Sequence, residues 1–341
     1  MIDFTNCEID ITAVYGGSDQ KRGIIYNGDR YMLKMSDRIN TEKRNTLNSS
    51  YSNSIYSEYI CCHILDEIGL PAQDTLLGTI KTKSKHSGEE KVTPVVACKN
   101  FIPEGYHLIE FKNIENALLF DKPGKIPKLS EINDILRSEN AYFSKELGKK
   151  ALERYWDTFV MDALLGNFDR HANNWGYLVK DATHEIMLAP VYDCGSCLYP
   201  QISDDAIFQI LASEKEKNDH IYKFPNAALE LSDGTKANYY KFMESMEDDE
   251  CTAAIKRMYP KINMQAIGDI IMNTPGISDI RKQFYKTMIK ERYEKILTPV
   301  YNKALSYERD ALGNEYESVD ESFTVSLSRK DVDERNKNIV R

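Results

Sequence analysis

The spacing of apolar residues changes several times along the chain. Leu152, Tyr155, Trp156, Phe159, Val160, Ala163 and Leu164 recur every three or four residues, which predicts an amphipathic helix. Two short runs follow, Trp175 to Val179 and Glu185 to Leu188, with the polar Lys180 to Thr183 between them, and they predict a hairpin. Nearer the N-terminus, Gly23 to Tyr26 and Arg30 to Lys34 flank Asn27-Gly28, a dipeptide suited to the left-handed backbone of a two-residue turn. Glu58 opens a helical pattern through Ile60, Ile64, Leu65 and Ile68 that stops at Gly69-Leu70-Pro71. Pro94 to Phe101 reads as a buried strand running into polar residues. Helical spacing returns at Ile262 to Met272 and at Ile280 to Tyr307, where Pro299 is expected to kink or break the helix. Beyond about Ala311 the chain turns polar and charged, as expected of a mobile tail. These elements predict an α+β protein, β-rich in its first third and mostly helical after that.

Length and composition fit two packed lobes: 341 residues, 42% of them hydrophobic, are more than one typical domain needs. A formal charge of -9 argues against nonspecific binding to nucleic acid or to an anionic membrane. Seven cysteines in a chain of this length suggest reduced thiols, and the C-x-x-C pair at Cys194 and Cys197 reads as structural. The sequence shows no N-terminal signal-like apolar segment and no run of about eighteen apolar residues, so a soluble, cytoplasmic protein is expected.

The chemistry concentrates between Leu165 and Gly195. Asp169, Asn174 five residues later and Asp193 beyond the hairpin are a carboxylate, an amide and a second carboxylate in the order a protein kinase uses them. Phosphoryl transfer needs little covalent help, only a positioned hydroxyl and metal ions that neutralise phosphate charge. Asp169 would orient the acceptor hydroxyl as the catalytic base. Asn174 and Asp193 would offer oxygen ligands to Mg²⁺ carried on ATP. Upstream, Gly16, Gly17 and Ser18 form a polar turn whose amides could approach phosphates. Lys34 ends a strand where a kinase places its phosphate-pairing ammonium, and Glu58 is its candidate partner.

These motifs carry a family resemblance. Leu164 to His171, Asn174-Trp175-Gly176 and Ala189 to Pro200 resemble the HipA-like serine/threonine kinases, and a weaker likeness runs from Ile2 to near residue 300. The resemblance implies a bilobal protein-kinase-like fold with ATP between a small β-rich N-lobe at 1–101 and a mostly helical C-lobe at 102–310, followed by a flexible tail at 311–341. It also implies a protein substrate, makes the backbone of Cys98, Lys99 and Phe101 a hinge in contact with adenine, and assigns the base to Asp169 and the metal ligands to Asn174 and Asp193. A small-molecule or lipid kinase, or a nucleotide-binding pseudokinase, stays open as an alternative. Phe168 precedes Asp169 and His171 follows it, so the His-Arg-Asp order of familiar protein kinases is absent. There is no room before the first strands for the extra N-terminal subdomain of HipA-like toxins, which leaves an antitoxin partner in doubt. Export into a host cell enters through the resemblance alone. Autophosphorylation is expected, with Ser18 and the serines of a loop from Thr79 to Thr93 as candidates.

Overall fold

The computed structural model describes residues 1–12, 21–35, 53–83, 90–119 and 126–306. The glycine turn with Gly16, Gly17 and Ser18, and the tail from 307 onward, lie outside them.

Six strands make the first sheet: β1 (Ile2–Asp3), β2 (Glu8–Ile9), β3 (Lys21–Tyr26), β4 (Asp29–Met35), β5 (Thr75–Lys83) and β6 (Glu90–Lys99). Their order is β1-β5-β6-β4-β3-β2, with β1 parallel to β5 and every other pair antiparallel. Asn27 and Gly28 join β3 to β4 with φ of 51° and 84°, the left-handed pair expected of a two-residue hairpin. The expected loop from Thr79 to Thr93 is corrected. Thr79 to Lys83 and Glu90 to Thr93 pair as strands, because β-prone Thr, Ile and Val continue the ladder on both sides. Ser84 and Ser87 lie outside the described residues.

The continuous apolar run of β6 follows from its burial on both faces. Val95 and Ala97 pack with Phe4, Ile24, Tyr31 and Leu33, whereas Val96 and Cys98 pack with Ile55, Tyr56 and Leu77. Strand side chains alternate, so Lys34 on β4 points away from the Leu33 face and toward α1 (Ser54–Glu67). This alternation turns a lysine into the interior.

Glu58 does not open α1. The helix starts one turn earlier at Ser54, and Glu58 is fully buried within it. Nine consecutive or near-consecutive α1 residues are buried, from Ile55 to Leu65, because the sheet covers one side and the helical lobe the other. A helix enclosed all round has no sharp apolar stripe to mark its first turn.

The second lobe begins with β7 (Tyr106–Glu110), α2 (Phe111–Leu118), α3 (Leu129–Arg137) and α4 (Lys145–Leu165). Ser144 caps α4 by accepting from the Leu147 amide at 3.3 Å, and Gly166 ends it in the left-handed region. The predicted hairpin is β8 (Gly176–Lys180) with β9 (Ile186–Leu188), and β7 adds a third strand beside β8. Next come α5 (Asp204–Ala212), α6 (Glu214–Tyr222), the β10 (Asn226–Glu230) and β11 (Lys236–Asn238) pair, α7 (Tyr239–Ser245), α8 (Asp249–Met258), α9 (Met264–Asn273) and α10 (Asp279–Arg292). The main core joins α1, α4 and α8 to α10 around Trp156, Phe159, Phe284 and Tyr285.

Pro299 does not break the last helix, which resumes over 298–306 after a π-helical turn at Tyr293–Leu297. A proline ring clashes with the carbonyl four residues back. The wider turn accommodates this: the Thr298 amide and hydroxyl both bond to the Tyr293 carbonyl.

Candidate active site

Three of the residues singled out from sequence meet at the lobe interface. Lys34 Nζ lies 3.0 Å from Glu58 Oε2 and 2.9 Å from Asp193 Oδ1. Lys34 and Glu58 are 7% and 0% exposed, whereas the Asp193 side chain keeps 43% of its surface open, so the cluster has one wet end. Burial opposes the Lys34 charge, but the Asp193 and Glu58 carboxylates outweigh it and hold its pKa well above the usual lysine value. Burial pushes the Glu58 carboxyl up, with Lys34 opposing the rise. Asp193 goes the other way: the adjacent ammonium holds it at about 2. Gly195 lets the acidic turn approach α1 closely, since a Cβ there would sit 3.2 Å from Glu58 Oε2.

The loop after α4 is built on two buried polar residues. Asp162, in the last turn of α4, accepts from Asn167 Nδ2 at 2.9 Å, and Asn167 Oδ1 accepts the Asp169 amide at 3.0 Å. Tyr239 adds its hydroxyl to the Asn167 carbonyl at 2.8 Å. Asp169 is thereby fixed at its backbone while its carboxylate stays partly open, 3.8 Å from His171 Nε2. Asn174 Nδ2 donates to the Asp169 carbonyl at 2.6 Å, so the opposite end of the amide, its oxygen, is the end left for other chemistry.

Arg170 and Asp162, which sequence reasoning did not single out, tie these parts together. The buried Arg170 guanidinium pairs with Asp162 at 3.0 Å. It also donates to the Asn174 carbonyl at 3.1 Å, to the Tyr192 carbonyl and, at 3.4 Å, to the Asp193 carbonyl. Asp193 has a φ of 58°, unusual for a non-glycine residue, and this fork is what holds it there. The available signal was an aspartate among Val160, Met161, Ala163 and Leu164, on a helix with no need of a buried charge.

Behind the turn, the Cys194 sulfur accepts from Arg170 Nη2 at 3.4 Å and lies among Cys61, Cys62 and Cys197. All four are buried free thiols packed between α1 and the turn. Among the described residues no group of three or more His, Cys, Asp or Glu is arranged to hold a metal.

At the end of β6, the Lys99 amide donates to the Asp74 carbonyl and the Asn100 amide to the Arg30 carbonyl, both at 2.8 Å. Cys98 is inside the ladder, paired with both Met32 and Thr75. Beyond these backbone bonds, the Phe101 ring stacks on Tyr192 at 5.4 Å.

A lysine, a helix glutamate and an acidic turn joined across two lobes, beside an Asp-x-x-x-x-Asn loop, are a kinase arrangement. Residues 14–265 match the HipA-like C-terminal domain. The chain belongs to the HipA-like kinase family. It is 39% identical over 326 residues to the serine/threonine-protein kinase CtkA of Helicobacter pylori strain J99, covering 94% of each chain. The crystal structure of a Helicobacter pylori proinflammatory kinase CtkA superposes with a TM-score of 0.79 at 36% identity, over 90% of this chain and 99% of that one. HipA from Shewanella oneidensis MR-1, solved with HipB and operator DNA, shares the fold at a TM-score of 0.50 and 15% identity, over 85% of this chain and 67% of that one. This HipA-like chain is a serine/threonine kinase by descent, with the bilobal α+β fold of its relatives. Among the described residues no helix is long and apolar enough to cross a membrane.

Proposed function

We propose that this kinase transfers the γ-phosphoryl group of Mg²⁺-bound ATP to serine or threonine hydroxyls of proteins, its own among them. The observation that carries this reading is the joining of Lys34, Glu58 and Asp193 at 2.9 to 3.0 Å, next to a loop whose Asp169 backbone is fixed and whose carboxylate is partly open. The donor set fits the nucleotide. Lys34 has three N–H donors, two of them directed at carboxylates, which leaves one for a phosphate oxygen. Asp193 stays ionised at any working pH and half-open to solvent, and Asn174 presents a neutral oxygen. One carboxylate and one amide are few ligands for an all-protein site, but they suit Mg²⁺, which keeps waters and takes its remaining oxygens from phosphates. Bound there, the metal would supply neutralisation of phosphate charge.

The residues then divide the work. Glu58 holds Lys34 in place from the α1 side. Arg170 keeps the Asp193 and Asn174 backbones in register with the loop. Asp169 orients the acceptor hydroxyl and takes its proton as transfer proceeds. We take the lobes as 1–101 and 102–310, with the backbone at Phe101 along the adenine edge; Gly16, Gly17 and Ser18, the candidate phosphate contacts, lie outside the described residues.

The test is transfer from labelled ATP with a general protein acceptor, an inositol lipid or no acceptor, with and without Mg²⁺. Label on protein in the first and last lanes, dependent on Mg²⁺ and weakened by Asp193→Ala more than by Asn174→Ala, is the expected result. Label on lipid alone would make this a lipid kinase. ATP binding without transfer to any acceptor would make it a pseudokinase.

A further inference from the structure

Phe208 and Phe224 stay open to solvent at 60% and 44%, and both lie in the stretch that follows the acidic turn. A single exposed apolar residue is ordinary on a protein surface, so exposure by itself says nothing. The setting of Phe224 is what distinguishes it. Its ring packs against Phe168, the residue immediately before Asp169, with centroids 5.7 Å apart. Phe168 is itself only partly buried. Two rings from separate segments thus form one apolar surface beside the catalytic loop.

The backbone under Phe224 is anchored. Its carbonyl accepts from the Tyr199 hydroxyl at 2.9 Å and its amide donates to the Asp219 carbonyl at 3.3 Å. Tyr199 is buried, its ring lies 6.0 Å from the Phe224 ring, and the Arg292 guanidinium sits 5.1 Å from its centroid. An exposed ring on a fixed backbone loses little freedom when something covers it, which is the property of a preorganised contact. Phe168 is the chain neighbour of Asp169, so the ring pair adjoins the loop to which the protein-kinase reading brings the acceptor hydroxyl.

We propose that Phe168 and Phe224 form an apolar subsite for a large aliphatic or aromatic side chain of the protein substrate. Because Phe168 is the chain neighbour of Asp169, that side chain belongs a few residues from the phosphoacceptor. The subsite rests on the protein-kinase reading above and names a feature of the substrate that this reading leaves open.

The wild-type enzyme is given serine peptides in which each flanking position, out to four residues, is varied through Leu, Phe, Asp, Lys and Gly. The expected result is a kcat/KM about tenfold or more higher for Leu or Phe than for Asp or Gly at one position near the acceptor. Phe224→Ser is expected to remove that preference, mainly by raising KM for the apolar peptides, and Phe224→Leu to restore it, with melting and Mg-ATP binding checked for both. If Phe224→Ser does not fold, the wild-type profile decides alone. Peptide phosphorylation with no apolar preference, or a folded Phe224→Ser enzyme that keeps the preference, overturns the subsite and leaves the kinase reading intact. Binding of Mg-ATP with transfer to no peptide or protein overturns the kinase reading, and the subsite with it.

Discussion

Asp169 has two kinds of contact: its backbone is held by Asn167, and its carboxylate is partly open. In the proposed role the carboxylate acts on the acceptor and not on the nucleotide, so Asp169→Ala is expected to abolish transfer while Mg-ATP binding stays measurable by titration. Near-native turnover by a folded mutant would remove Asp169 from this role. Arg170 calls for a different substitution, since its removal would leave Asp162 charged and buried with only the Asn167 amide beside it. Arg170→Lys keeps the charge but loses the planar fork that reaches Asp162, Asn174 and Tyr192 together. Transfer should fall about a hundredfold, the scale of a misplaced catalytic group, with weakened Mg²⁺-dependent ATP binding because Asp193 is no longer held. Unchanged metal dependence would argue against that link. The two residues also differ in how far the sequence reveals them. Asp169 and Asn174 sit in one short motif whose spacing is chemical, whereas the partners of Arg170 lie on α4, its own loop and the acidic turn, and only the fold brings them within reach.

At the level of elements, local rules go far where one face of an element is apolar. The α4 pattern, the Asn27-Gly28 hairpin and the β8–β9 pair were legible because period and turn chemistry agree there. They fail where burial is all round, as at the start of α1, and where a tertiary adjustment rescues a breaker, as the π turn does for Pro299. The end of α4 shows a sequence signal whose tertiary reason only the structure supplies. Gly166 has a φ of 69°, and a Cβ there would lie 1.9 Å from Arg292 Nη1. Arg292 is 1% exposed and donates to the His220 carbonyl at 3.1 Å, so it cannot swing aside. Gly166→Ala should therefore cost more than the roughly 1–2 kcal/mol of a left-handed alanine. Gly234→Ala, at φ 79° with nothing near its Cβ, should cost only that backbone share. Equal urea midpoints for the two variants would refute the Arg292 clash.

For the whole molecule, stability should depend on pH through a residue that the proposed chemistry does not use. Glu115 on α2 is fully buried, among the described residues neither oxygen has a hydrogen-bond partner, and Lys112 Nζ lies 3.7 Å from it. Burial lifts its pKa from 4.5 to about 7; Lys112 opposes the rise and Glu131 adds to it. The sign follows from proton counting. Between 4.5 and about 7 the folded state holds a proton that the unfolded chain has released, so stability falls as pH rises across that window and levels off above it. At about 1.4 kcal/mol per pH unit, the lift is worth about 3 kcal/mol of stability lost by neutral pH. Nothing in the local sequence Asn113-Ile114-Glu115-Asn116 marks this, because a glutamate in a short polar helix reads as solvated until Phe111 stacks on Trp175 at 4.0 Å and pulls α2 inward. Glu115→Gln keeps the shape and removes the titration. The variant should match wild type near pH 4.5, exceed it by up to about 3 kcal/mol at pH 8, and show a flatter profile between them when unfolding is followed in urea at each pH. Parallel profiles for the two proteins would mean that Glu115 ionises in the folded state as readily as in the unfolded one.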